Sequence, residues 1–135
     1  METSAVLRWL LHGEESSQVI SAIRGHKDIA SSILTKVETQ RALLRAELQG
    51  VLKPAERNLA RGLFAKQSSG WYFVEITPSI LQRASGEFPI EPIRTLDAIH
   101  LATALELLPA FSKMKVLSFD IRIVQNLLPL GLTAT

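Results

Sequence analysis

Four acidic residues carry the chemistry open to this sequence: Glu2, Glu38, Asp97 and Asp120. Carboxylates brought together repel one another unless a hard cation neutralises them. A ligand set made only of oxygen suits Mg2+ or Mn2+. Such a site activates water and stabilises the charge that builds on a transferring phosphoryl group.

Each acid also has a local role that competes with this one. Asp97 lies among Leu96, Ala98, Ile99 and Leu101, on a segment that reads as a buried helix. A buried carboxylate needs a partner, because desolvating an unpaired charge costs at least several kcal/mol. Arg94, three residues earlier, or the dipole at the helix start would serve. Asp120 follows the apolar run Val116–Phe119 and precedes a helix, a place that also suits an N-cap. Thr35 and Glu38 have the spacing of a capping box, and Arg41 offers Glu38 a pair one turn on. Glu2 is by default a free terminal acid. No single acid decides the matter. Three of them, however, follow strand segments or begin the helices after them, so one sheet edge would gather them.

The elements that would do this alternate along the chain. Helices are expected at Ala5–Leu11 and Ser16–Arg24, the second capped by Ser16 or Ser17 and stopped by Gly25. A brief strand is expected at Asp28–Ser32. A helical hairpin then spans about 33–66. Its first helix carries a stripe of Leu34, Val37, Ala42, Leu44 and Leu48. Its second starts at Pro54 and turns Leu59, Leu63 and Phe64 inward. Trp71–Ile76 reads as a strand, and Pro78 opens a short helix ending near Gly86. Two prolines make Glu87–Arg94 irregular. A helix at Arg94–Leu108, a strand at Lys115–Phe119, a helix at Ile121–Leu128 and a strand at Leu132–Ala134 complete the chain. Strands alternating with helices predict an α/β fold with a parallel sheet covered on both faces, in one domain over residues 1–135.

Composition narrows the chemistry further. With no cysteine, disulfides, thiolate metal sites and thiol nucleophiles are excluded. No signal peptide is apparent, since Arg8 breaks the first apolar run. Leu96–Phe111 contains Asp97, His100 and Glu106, and is too short and polar to span a bilayer. The expectation is a soluble cytoplasmic protein with no membrane contact. The net charge of +2 is unevenly spread. Residues 24–66 hold nine Lys or Arg against four Asp or Glu, a local charge of +5, and the remainder carries −3. A basic segment on an acidic body suits a polyanion, although solvated helix faces account for the same pattern. His12, His26 and His100 lack metal-ligand spacing. His100 reads as a satisfied core histidine or a contact behind Asp97. Trp9, Trp71 and Phe73 read as packing residues.

The acids sit in strings that resemble the motifs of the PIN-domain family. Glu2-Thr3-Ser4-Ala5-Val6-Leu7 resembles the first motif, and Ser32-Ile33-Leu34-Thr35-Lys36-Val37-Glu38 the second. Arg94-Thr95-Leu96-Asp97-Ala98-Ile99-His100-Leu101-Ala102-Thr103-Ala104 is the most specific match, and is similar to VapC-type toxins. Val116-Leu117-Ser118-Phe119-Asp120, followed by Leu130-Gly131-Leu132, resembles the closing motif. The resemblance implies a three-layer α/β/α sandwich with a parallel sheet of about five strands. Glu2 stands where the family places an aspartate, and the family's first strand normally precedes that acid, so here this strand is short or missing. The resemblance also implies Mg2+- or Mn2+-dependent cleavage of RNA. Glu2, Glu38, Asp97 and Asp120 would hold the metal, with Ser4 and Thr35 in support. It implies a small antitoxin protein as partner and a homodimer, both using the hairpin. Arg41 with Arg45, and Arg57 with Arg61, are i,i+4 pairs that would meet RNA or antitoxin.

Two other functions stay open on the residues alone. One is a catalytically impaired PIN-like module that binds RNA or a protein partner without cutting. The other is a receiver-like α/β module using its acids for Mg2+, which the absence of an early acidic pair after a full first strand disfavours.

Overall fold

A computed structural model describes residues 1–12, 16–26 and 28–135. The order of elements follows the expected alternation. Helix α1 spans Thr3–Leu11, α2 Ser17–Gly25, and strand β1 Ala30–Ser32. The hairpin is α3 at Leu34–Leu48 and α4 at Pro54–Ser68. Strand β2 is Tyr72–Val74, α5 Pro78–Ala84, α6 Thr95–Leu107, β3 Lys115–Val116 and α7 Ile121–Leu127. A 3-10 turn at Leu128–Leu130 leads to β4 at Thr133–Ala134.

The four strands form two parallel pairs, β1 with β2 and β3 with β4. The backbone of Met1 and Glu2 joins them. The Met1 ammonium donates to the Ala30 carbonyl at 2.6 Å, and Glu2 N–H donates to the Leu117 carbonyl at 3.0 Å. Residues 1–2 therefore lie between β1 and the end of β3, with Glu2 extended at φ −101° and ψ 163°. Residues 1–2 form no strand of their own, and a groove of about 690 Å3 lies between β1 and β3. Each inner strand is hydrogen-bonded over its length on one side only, and the ladders are correspondingly short.

Helices cover both faces, as consecutive strand residues show. Side chains alternate across a strand. Val116 packs against a cluster holding Leu101 of α6 with Ile123 and Leu127 of α7. Leu117, the next residue, packs with Ala5 of α1 and Val19 of α2. A third cluster joins Val74, Ile80, Ile99 and Ala102. Helix α6 is central to two of the three. Its six consecutive residues Ala98–Thr103 are all buried, as expected of a helix apolar almost all round.

The hairpin corrects the sequence expectation about which faces turn inward. Val37 and Leu48 of α3 are exposed, Leu48 at 77%. The buried face is Thr35, Thr39, Leu43 and Ala46, spaced for one stripe but half polar, so counting apolar residues misplaces it. On α4, Leu59 is 75% exposed and Leu63 is exposed as well, while Ala60 and Phe64 turn inward. Trp71 packs edge-on against Phe64 and tilted against Phe73, as packing aromatics do. Among the described residues, no helix is long and apolar enough to cross a membrane.

Candidate active site

Glu2 anchors the site. It N-caps α1, its Oε2 accepting from the Ser4 N–H at 3.0 Å and from the Ser4 hydroxyl. Ser118 Oγ donates to the same oxygen at 2.8 Å. Three donors therefore converge on one oxygen of a carboxylate that is only 8% exposed. The support expected from Ser4 is therefore present, and Ser118 adds to it. Ser118 also accepts from the Asp120 N–H at 3.2 Å, and Ser4 Oγ accepts from the Phe119 N–H at 2.7 Å. These bonds tie the loop after β3 to the start of α1. The Met1 ammonium next to Glu2 is buried. Burial, only partly opposed by the Glu2 charge, lowers its pKa to about 6.

Glu38 does not take the competing capping-box role that its spacing from Thr35 allows. Helix α3 begins at Leu34, and Thr35 is fully buried, its hydroxyl accepting from Ser31 Oγ at 2.8 Å. The Glu38 carboxylate reaches across to other elements. Its Oε2 lies 2.6 Å from His100 Nε2 and accepts from Thr3 Oγ1 at 2.7 Å. Burial raises the Glu38 carboxyl. Hydrogen bonding and charge attraction from His100, with the Thr3 hydroxyl, outweigh burial and hold it below its ordinary value. His100 Nε2 also stands 3.9 Å from Glu2 Oε1, so one buried ring links the two glutamates.

Asp97 and Asp120 occupy the opposite flank. Asp97 lies in the first turn of α6. Arg94 lowers its pKa through charge, but no ion pair between the two forms among the described residues. One oxygen, Oδ2, is buried and has no hydrogen-bond partner. Burial raises the Asp97 pKa, and the charges of Asp120 and Glu2 add to that rise against Arg94 and Arg122. Asp120 is the N-cap of α7, with Oδ1 accepting from the Arg122 N–H at 2.8 Å. It therefore fills its structural role and also faces Asp97 electrostatically.

Glu2 is linked to Glu38 through His100 and to the Asp120 backbone N–H through Ser118, and Asp97 feels the charges of Glu2 and Asp120. No three His, Asp or Glu side chains among the described residues are close enough together to ligate one ion. The donor set nonetheless fits a hard cation. It is all oxygen, the carboxylates repel, and Asp97 presents a buried oxygen with nothing to bond. The receiver-like alternative finds no support in this arrangement, because its acids come from four separate motifs.

Comparison with known proteins agrees. A family model described as PIN domain matches residues 1–126. The chain belongs to the PIN-domain family. It is also 32% identical over 107 residues to Ribonuclease VapC46 of Mycobacterium tuberculosis (strain ATCC 25618 / H37Rv), covering 79% of this chain and 74% of that protein. The motif centred on Asp97 is what makes this membership legible in the sequence. Thr3 and Ser118 have no role assigned there, and His100 reads as a satisfied core histidine or a contact behind Asp97, whereas its ring meets Glu38 and Glu2, although all three residues lie inside the matching strings.

Of the four arginines expected on the hairpin surface, Arg57 is engaged. Its Nε stands 3.0 Å from Glu47 Oε2, bridging α4 to α3. Arg41, Arg45 and Arg61 are exposed.

Proposed function

We propose that this PIN-domain protein is a divalent-metal-dependent endoribonuclease, hydrolysing RNA phosphodiester bonds as the toxin of a VapBC-type pair. The observation that carries the reading is Asp97: its buried oxygen has no partner, and its carboxyl is pushed up by burial and by the facing charges of Asp120 and Glu2. Charge repulsion of this kind is relieved by a cation.

Glu2, Glu38, Asp97 and Asp120 would hold Mg2+ or Mn2+. When bound, the metal would supply a Lewis acid that lowers the pKa of water and offsets charge at the phosphorus. The chain's own residues do the positioning. Ser4 and Ser118 fix Glu2, and His100 and Thr3 fix Glu38. Thr35 holds the backbone at the start of α3 through Ser31, whose own hydroxyl also reaches the Met1 carbonyl at 2.7 Å. Arg41 and Arg45 share a helix with Glu38 and, with Arg61, offer exposed cations to the phosphate backbone.

A small antitoxin and a second copy of the chain are the proposed protein partners, in the cytoplasm. The support is the exposed apolar set Val37, Leu48, Val51 and Leu59 on and beside the hairpin.

The test is cleavage of single-stranded RNA by wild type and by Asp97→Asn, with Mg2+ or Mn2+ and with a chelator. Metal-dependent cutting by wild type alone supports the proposal. RNA binding without cutting by either protein in any metal contradicts it and leaves a binding module.

A further inference from the structure

The buried face of α7 carries Ile123, Asn126 and Leu127 on one stripe. Ile123 and Leu127 pack into the cluster that holds Phe88, Ala98 and Leu101. Asn126 is 0% exposed, in a place that packing alone would fill with an apolar side chain. A buried amide costs stability unless its polar atoms are bonded. Here they are, and two of the bonds go to a single residue 36 positions away. Asn126 Oδ1 accepts from the Ile90 N–H and Nδ2 donates to the Ile90 carbonyl, both at 2.9 Å. Nδ2 also donates to the Arg122 carbonyl at 2.9 Å. One orientation of the amide serves both groups of Ile90, and the flipped one serves neither.

Ile90 lies between α5 and α6, in residues 85–94, which form no helix or strand. Phe88 and Ile93 pack into the core on either side of it. Glu91 draws the segment together, its carboxylate accepting from the Phe88 N–H at 3.0 Å and from the Ile93 N–H at 2.6 Å. Those bonds are internal. Arg83 ties the segment to α5 by donating to the Glu87 carbonyl at 3.2 Å, and Asn126 ties it to α7. The segment ends at Arg94, the N-cap of α6. The Arg94 carbonyl accepts from the Ala98 N–H at 2.8 Å, and Asp97 sits in the turn that this bond closes. On the other side, the Arg122 N–H donates to Asp120 Oδ1 at 2.8 Å. Asn126 therefore reaches the Asp120 carboxylate through one residue, Arg122. It reaches the turn of Asp97 through the segment that enters it.

We propose that Asn126 is a positioning residue for the metal-binding acids: its amide clamps the segment before α6 onto α7 and so fixes the separation of Asp97 from Asp120. This role rests on the divalent-metal reading of the site. The two carboxylates carry like charge, and without a cation their repulsion favours moving the starts of α6 and α7 apart. A clamp of neutral hydrogen bonds resists that movement and leaves both acids free to ligate. It is set in a core cluster, where water competes little for its bonds. Apolar packing between α6 and α7 holds the helices together but has no preferred direction, so it fixes their starts less closely. Releasing the clamp should therefore cost metal affinity before it costs the fold.

Three variants test this role. Asn126→Leu keeps the branched shape and removes all three bonds. Asn126→Ser keeps a hydroxyl that can bond the Arg122 carbonyl one turn back but is too short for Ile90, and it carries the test should Asn126→Leu not fold. Ile123→Val trims the same core and leaves the amide untouched. The readouts are calorimetric titration of Mn2+, at a temperature where each protein is folded, and amide exchange at Ile90 without metal. Both Asn126 variants should speed exchange at Ile90 about tenfold or more and weaken Mn2+ binding about fivefold or more. Ile123→Val should hold its Mn2+ affinity within about twofold of wild type. No Mn2+ binding by wild type would defeat the metal reading and this role together. Mn2+ affinity equal in wild type and the Asn126 variants would overturn the clamp alone. So would an equal loss in Ile123→Val, which would reduce Asn126 to core packing.

Discussion

His100 Nε2 stands 2.6 Å from Glu38 Oε2 and 3.9 Å from Glu2 Oε1, so one imidazole on α6 couples the acid that begins the chain to the acid on α3. The ring is 7% exposed, which gives its bonds no competition from bulk water. His100→Ala should therefore lower RNA cleavage about 10- to 100-fold, the range for partners that orient ligating side chains. His100→Gln, which can still donate to Glu38, should recover part of that loss. Cleavage rates of purified, folded variants check this, and a rate for His100→Ala equal to wild type would show that Glu38 needs no such support.

Asp97 should trade stability against activity. Its folded pKa is raised, so the folded state resists its ionisation. The penalty is absent below the unfolded pKa and develops as pH rises through the folded value. At neutral pH without divalent metal, Asp97→Asn should therefore raise Tm by a few degrees. The same change should abolish cleavage. Thermal melts in chelator, at neutral pH and near pH 3, check the sign: the gain should shrink at the lower pH.

Glu38 runs the other way. Its folded pKa is held down, so it adds stability that is present above the unfolded value and is lost as pH falls through the depressed folded value. On acidification below the ordinary carboxylate range, wild type should lose more stability than Glu38→Gln, which has no charge there to lose. Denaturant unfolding across pH 2–6 of the two proteins measures the difference, and parallel curves would argue against the Glu38–His100 pair.

The sequence marks the acids and the order of elements, because both are local signals. Asp97 is conspicuous in an apolar helix, and Asp120 follows an apolar run into an N-cap. What joins them is not local. Thr3, His100 and Ser118 meet their partners across 35, 62 and 116 residues, and nothing in the spacing of a serine forecasts a carboxylate so far away. The hairpin faces were hidden for a different reason. Thr35 and Thr39 fill buried positions that hydropathy assigns to water, leaving Leu48 and Leu59 outside. The capping-box spacing at Thr35–Glu38 is likewise unused, because α3 begins at Leu34 and Thr35 lies inside the helix, while Glu38 bonds His100 and Thr3 instead.

The hairpin arginines should separate by role. Arg57 pairs with Glu47 at 3.0 Å between partly buried side chains, so Arg57→Ala should cost roughly 1 kcal/mol of stability. Arg61 is exposed, and Arg61→Glu should leave Tm unchanged while weakening RNA binding several-fold at low salt. Melts and fluorescence anisotropy on the two variants distinguish these effects. Equal RNA affinity of Arg61→Glu and wild type would remove α4 from the RNA surface.

The central claim is that carboxylates from four separate segments serve one cation. Calorimetric titration of Mn2+ into wild type, Glu2→Gln, Glu38→Gln, Asp97→Asn and Asp120→Asn tests it most directly. The account predicts saturable binding to wild type and at least tenfold weaker binding to every variant. Binding of equal strength to all five proteins would contradict it.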